Sequence, residues 1–354
     1  MNIKSLLIGS AAALAAVSGA QAADAIVAAE PEPMEYVRVC DAFGTGYFYI
    51  PGTETCLQIS GYVRFQMNFA QDVAGVDGDE DGYNYNSRGY ISLDAKSDTE
   101  LGTLTGHIDL QADSNDGQTK LDGAWIQLGG FKAGYFYGFW DKGINGETDI
   151  NDSGFAAIYN SVSYTYEAGA FSASAAIDNF NDFSDKDVPG QAFSKWSDDW
   201  GVSAQVSGAF GAVSADLLAS YDFDAEAVAL RGLISADIGP GQLQAFGVWA
   251  SDTNRYWAIS EWSAAVSYKA QINEKLSITP GFQYFGNLGG TGLNVDGPDW
   301  KGSDFGSDDA WRAGVTLDYE IVKDLTTKVS VQYDDVDGED DGNWNGFVRL
   351  QRSF

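Results

Sequence analysis

Histidine is nearly missing from this chain, with one residue, His107, in 354; cysteine and methionine follow with two and three. That poverty excludes Cys/His metal clusters and Cys-x-x-Cys redox chemistry. A hydrolase would have to be built on His107, which shares a strand face with Thr105 and Asp109 and has no convincing nucleophile beside it. No catalysis is assigned. Cations are scarce too: 20 Lys and Arg against 51 Asp and Glu leave a formal charge of −31. Such acidity disfavours nucleic acid as a partner and suits a cation-rich surface, with solubility as the blander reading. Past residues 6–17 no apolar run approaches the eighteen residues of a membrane helix. Hydropathy alone therefore reads the rest of the chain as soluble and periplasmic.

What is plentiful points elsewhere. The chain holds 42 Gly, and aromatic residues make up 14% of it, a composition of many strands and tight turns with the Trp and Tyr that favour membrane interfaces. At the amino terminus, Lys4 precedes the apolar run and Ala20-Gln21-Ala22 supplies the small residues of a cleavage site. Residues 1–22 read as a signal peptide, and the chain as exported. The absence of Cys at the cleavage point argues against a lipid anchor. In an exported chain, Cys40 and Cys56, sixteen apart, most simply form one disulfide, a staple before the first strand that is worth roughly 3 kcal/mol in the chain-entropy model.

Period-two alternation begins at Gln58. Ile59, Gly61, Val63, Phe65, Met67 and Phe69 alternate with Gln58, Ser60, Tyr62, Arg64, Gln66 and Asn68, which is a strand of bilayer-crossing length with one apolar face. Fifteen further segments follow: 87–96, 101–112, 120–128, 131–140, 160–166, 170–178, 200–208, 212–222, 227–238, 242–250, 258–270, 275–285, 310–320, 326–333 and 344–354. Sixteen strands is an even number, as closure with both ends on one side requires. The links sort by parity: those after even strands are tight, such as Gly129-Gly130, and those after odd strands are often long, such as 141–159 and 179–199. A soluble sandwich has no reason to sort its loops that way. The expected fold is all-β, a 16-stranded antiparallel transmembrane barrel over 58–354, preceded by a periplasmic-side segment over 23–57.

Phase separates the faces. Trp262, Ala264, Val266 and Tyr268 are expected outward against lipid, with Ser263, Ala265, Ser267 and Lys269 in the lumen. In the strand 242–250, Leu243, Ala245 and Gly247 oppose Gln242, Gln244 and Phe246 poorly, and its phase stays open. Arg64, Arg88, Lys132, Arg231, Arg312, Lys328 and Arg349 fall on lumen faces, and the closed barrel brings Arg349, Arg64 and Arg88 onto three consecutive strands. Each of these cations has an ion pair or a turn brace as its plain alternative role. A barrel of this size is too wide for side chains to fill and stays wet.

Two stretches carry a resemblance. The closing strand 344–354 ends on Phe354 and resembles the last strand of bacterial outer-membrane barrels, where this end is read by the barrel assembly machinery; Arg352 stands where those strands usually carry an aromatic residue. The run from Tyr36 through Val37-Arg38-Val39-Cys40-Asp41-Ala42-Phe43-Gly44, continued by Gly46-Tyr47-Phe48-Tyr49-Ile50-Pro51-Gly52-Thr53-Glu54-Thr55-Cys56-Leu57, resembles the amino-terminal signature of the alphaproteobacterial porin family, the Brucella and rhizobial type. The resemblance implies a homotrimeric general-diffusion porin of the outer membrane, in contact with lipid and lipopolysaccharide, passing small hydrophilic solutes. It also implies a third extracellular loop folded into the lumen. Here that loop is 141–159, and its acids Asp141, Glu147, Asp149 and Asp152 become the candidate constriction, with solvated loop charge as their plain alternative.

Basic residues on one wall opposite an acidic loop set a transverse field. Asp149 and Asp152 are expected to face Arg64 and Arg349 and largely to cancel them. The acidic mouth then decides the sign, giving a weak cation preference that acts within about 8 Å at physiological salt and fades as salt rises. Other readings are a substrate-selective sugar channel, which calls for an aromatic path in the lumen, and a surface adhesin or phage receptor, which leaves the polar lumen unexplained. No cofactor is implied. Asp77, Asp79, Asp81 and Gly82, and again Asp337, Glu339, Asp341 and Gly342, match the first half of an EF-hand loop, but position twelve holds Arg88 or Val348 in place of Glu. No metal site is expected from them.

Overall fold

The computed structural model describes residues 38–71, 82–115, 117–151, 158–180, 200–289, 293, 304–339 and 341–354. The signal segment, Asp77, Asp79, Asp81 and Asp152 lie outside them. A short strand β1 (Phe48–Tyr49) precedes β2 (Cys56–Ala70), β3 (Gly82–Thr99), β4 (Gly102–Asp113), β5 (Thr119–Leu128) and β6 (Phe131–Tyr137). There follow β7 (Ile158–Ala168), β8 (Phe171–Asn179), β9 (Trp200–Phe210), β10 (Val213–Asp222), β11 (Ala227–Ile238) and β12 (Gly241–Ala250). The last five are β13 (Ser260–Asn273), β14 (Leu276–Leu288), β15 (Ala310–Val322), β16 (Leu325–Val336) and β17 (Asn343–Ser353). Strands β2 to β17 pair antiparallel with their sequence neighbours, and β17 pairs with β2, Val348 opposite Met67 and Leu350 opposite Phe65. The sheet thus closes into a sixteen-stranded barrel.

Why these segments form strands is visible in their burial. On β13, Trp262, Ala264 and Val266 are exposed on the outer surface while Ser263, Ala265 and Ser267 between them are buried. Small hydroxyl residues point inward and apolar ones outward, the reverse of a soluble barrel and the pattern of a membrane-spanning one. An aromatic band runs along the outside near one rim, with ring centres 5.4 Å apart for Trp262 and Tyr284, 5.5 Å for Trp311 and Tyr333, and 5.0 Å for Tyr333 and Trp344. Such bands sit where the bilayer meets water. At the opposite rim each of the seven links, from β3–β4 to β15–β16, has two residues. Left-handed backbone serves such short turns, at Gly129 (φ 57°) and Gly239 (φ 59°), which have no Cβ to clash, and at Asp324 (φ 64°) in the last turn.

The disulfide forms as the sequence suggests. Cys40 and Cys56 are joined with their Cα atoms 6.0 Å apart, and β1 adds to the start of β2 through Tyr49 opposite Cys56. The bridge lies at the short-turn rim, since Cys56 is the first residue of β2 and faces Lys96 near the end of β3.

The strand 242–250 has its phase settled. Phe246, 4% exposed, and Val248 point inward with Gln242 and Gln244, while Leu243 and Trp249 face out. The sequence alternates poorly there because the inner wall is itself partly apolar. Trp140, Ile144, Ile150, Tyr159, Phe180, Tyr256, Trp257 and Phe285 pack with Phe246 and Val248 in a hydrophobic cluster. A core of this kind inside a barrel needs something for the wall to pack against.

Candidate pore constriction

That something is the chain after β6. The expected strand 131–140 stops at Tyr137, and Phe139–Asp141 turn into a single 3-10 turn. Inward anchorage explains the early stop: the Trp140 indole is fully buried and donates Nε1 to Ser220 Oγ of β10 at 2.9 Å. From there the segment follows the inner faces of distant strands. Lys142 Nζ meets Asp216 of β10 at 2.5 Å, the Asn145 amide donates to Gln244 of β12 at 2.6 Å, and Asn145 Nδ2 donates to Gln242 at 2.9 Å. Ile150 is held at both ends of its peptide by Gln283 of β14, its N–H donating to Oε1 at 2.6 Å and its carbonyl accepting from Nε2 at 2.9 Å. In a ring of sixteen, β14 is eight strands from β6 either way round. The segment therefore crosses the lumen.

This crossing divides the interior. Inward residues of β9 to β16, such as Ser203, Ser235, Ser263, Thr279, Thr316 and Gln332, are buried beneath it. Those of β17 and β2 to β4, such as Arg349, Arg64, Arg88 and Asp94, are only half-buried. The inner wall is thus less covered along β17 and β2 to β4, which makes that side the candidate water path.

The sequence-predicted residues sort accordingly. Glu147 sits where the crossing segment meets that path, its Oε1 at 2.5 Å from Lys328 Nζ and 3.9 Å from Arg349 Nη1. Asp318 adds a second acid 3.5 Å from Lys328. Asp149 does not face Arg64 and Arg349: its carboxylate turns back into its own loop and accepts the Ile144 amide at 3.0 Å. Burial pushes this carboxyl well above the usual range, to about 6, against the lowering effect of that hydrogen bond. Asp141, at the end of the 3-10 turn, is exposed.

Of the cations, Arg231 is a brace. It is 2% exposed and donates to the Phe139 and Trp140 carbonyls at 2.6 and 2.9 Å, holding the start of the crossing. Arg312 grips Asp334 with two nitrogens, Nε at 2.5 Å and Nη2 at 2.7 Å. Lys132 lies over the Trp125 and Phe136 rings at 4.2 and 4.0 Å. Arg88 donates Nε to Asp113 at 2.8 Å. On the less covered side stand Arg64, Arg88, Lys328 and Arg349, with Glu147 against the last two. Acid and base touch here, so the short-range field is between neighbours.

The alternation puts Tyr62 and His107 on inward faces, but it does not show that the inward rings pair. Tyr62 and Tyr90 stack at 4.9 Å, and His107 stacks on Trp125 at 4.5 Å while bridging Asp94 (2.9 Å) and Asp109 (2.7 Å). Tyr90 shares the face of Arg88, so the same period places it inward as well. The signal was in the spacing.

Comparison with known proteins completes the site. A family model described as a porin subfamily matches residues 24–349. The Sinorhizobium fredii outer membrane protein y4fJ is 50% identical over the whole of this chain and 99% of its own. Porin Omp2b of Brucella neotomae is 35% identical, with both chains covered in full. Among solved structures, the anion-selective porin from Comamonas acidovorans is similar in fold, with a TM-score of 0.62 at 13% identity over 85% of this chain and all of the other.

Proposed function

The chain belongs to this porin subfamily, and from that premise we propose that Glu147 with Lys328, Arg349, Arg64 and Arg88 forms the narrow part of its pore. The protein is an outer-membrane porin whose barrel passes small hydrophilic solutes by passive diffusion. The observation that carries the constriction reading is the segment 138–151 spanning the lumen from β6 to Gln283 of β14. With one side filled, every solute must pass the remaining side, where these five charges stand. Side chains fixed by ion pairs and carboxamides act on ions without having to reorganise.

The assembly is a homotrimer in this reading, with bilayer lipid against the outer aromatic band and lipopolysaccharide at the long-loop rim. Phe354 fits the role of a mark for the assembly machinery: its backbone N–H and carbonyl pair with Gly61 at 3.0 Å, continuing the ladder to the last residue. Reconstitution into planar bilayers tests the proposal. Channels should insert in triple steps, and single substitutions at Glu147 or Arg349 should change ion preference without abolishing conductance. Channels indifferent to both substitutions would place the constriction elsewhere.

A further inference from the structure

The arginines of the lumen are held in two different ways. Arg312 and Arg88 are held by carboxylates, the first by a two-point grip on Asp334 and the second by Asp113. Arg64 and Arg349 are instead held by uncharged groups. Arg64 donates Nε to Gln351 Oε1 at 2.9 Å, and Arg349 donates Nε to Gln66 Oε1 at 2.6 Å. Each carboxamide is itself steadied through its NH₂, Gln66 on Asn68 at 2.6 Å and Gln351 on Ser353 at 3.4 Å. Each guanidinium also lies over a ring on its own strand, Arg64 4.6 Å from the Tyr62 centroid and Arg349 4.4 Å from that of Phe347. One edge and one face of each are thus occupied, which leaves the Nη groups as the remaining donors; Arg349 Nη1 lies 3.9 Å from Glu147.

The arrangement concentrates positive charge. Arg64 stands directly opposite Arg88 in the ladder, and Gln351 opposite Arg64 and Arg349 opposite Gln66 put Arg349 one diagonal away. Like charges in such positions repel. Among the described residues Arg64 has no carboxylate within ion-pair distance, and the only one within that distance of Arg349 is Glu147 at 3.9 Å, already engaged by Lys328 at 2.5 Å. A carboxamide clamp fixes a guanidinium's direction while leaving its charge intact, whereas a carboxylate clamp would cancel it. Rigid, forked, uncancelled donors match an oxyanion.

We infer that Arg64 and Arg349 form an oxyanion subsite in the bore, which binds the phosphate or carboxylate group of a passing solute. The inference rests on the constriction reading above and deepens it: the channel has a saturable station for anionic solutes despite the acidic chain. Simple diffusion of small ions gives a conductance that rises in proportion to concentration, while a station gives a plateau.

Single-channel conductance is measured for the intact protein in potassium phosphate and, separately, in potassium acetate, from millimolar to molar concentration. The expected result is a plateau, at lower concentration in phosphate if tetrahedral dianions are preferred and in acetate if planar carboxylates are. Arg64→Gln should raise the half-saturating concentration by about tenfold, the scale of one charge-assisted hydrogen bond, and Arg64→Lys, which keeps charge but loses the fork, should recover only part of it. A second measurement needs no variant: phenylglyoxal modification of Arg64 and Arg349, mapped by peptide mass, should slow in phosphate or acetate relative to chloride. Proportional conductance in both salts with unprotected arginines overturns the subsite and leaves the channel standing. A reconstituted protein that conducts in no salt would overturn the porin reading itself.

Discussion

Replacing Glu147 by Gln isolates one charge at the proposed constriction without disturbing what holds it. Lys328 keeps Asp318 at 3.5 Å, Arg349 keeps the Gln66 carboxamide, and the crossing segment keeps its ties to Gln242, Gln244 and Gln283. The pore should stay open with one negative charge fewer. An ion passing about 4 Å from that carboxylate exchanges roughly 1 kcal/mol with it in water-like surroundings. That corresponds to about fivefold in local concentration, downward for cations and upward for anions, so the cation-to-anion permeability ratio should fall by up to about 25-fold at low salt. Screening reduces this as the Debye length shrinks from about 30 Å at 0.01 M to about 3 Å at 1 M. The assay is the reversal potential across a KCl gradient, taken at several mean concentrations. A potential that does not move at low salt, in channels of normal conductance, would refute the placement of Glu147 on the ion path.

Replacing both Arg64 and Arg349 by Ala should act in the opposite sense and strengthen cation preference, read by the same potential. Gln283→Leu removes both hydrogen bonds to Ile150 at a fully buried position and should weaken the crossing by about 2–4 kcal/mol; noisier open-channel current is the readout, and a quiet channel would contradict it. Because burial raises the Asp149 carboxyl to about 6, its contribution to loop stability is complete below the ordinary carboxylate range and lost as pH rises through 6. Current noise should therefore grow between pH 4 and 7, and Asp149→Asn, which can still accept the Ile144 amide, should flatten that dependence. Changing Cys40 and Cys56 together to Ser should lower barrel stability against urea by roughly 3 kcal/mol, and an unchanged midpoint would show that β1 holds without the bridge.

Strands were legible because lipid outside and water inside impose alternation on every one of them, and the edges found differ from the expected ones by a few residues at most, apart from β3, which starts five residues early, at Gly82. Alternation says nothing about depth. Arg231 and Arg64 both read as lumen cations, yet one is buried under the crossing segment and the other borders the water path, because burial depends on which sector a loop fills. The same sector explains Phe246 and Val248: they point inward against Trp140 and its neighbours, so the strand loses the contrast that marks a face. Among the loop acids, nothing in their spacing separates Glu147 from Asp149. Only the fold shows that one reaches Lys328 and the other caps its own backbone.

The peptide of Ile150, gripped on both sides by Gln283 across the full width of the barrel, also bears on mechanics. An empty sixteen-stranded cylinder resists flattening only through the stiffness of its wall, which twists and shears easily. A strut fixed to β10, β11, β12 and β14 turns that arc into a braced rib. Lateral pressure from the bilayer would then be taken up by the unbraced side, β17 and β2 to β4. In the proposed function that is also the side solutes pass, so membrane tension should reach the pore cross-section there.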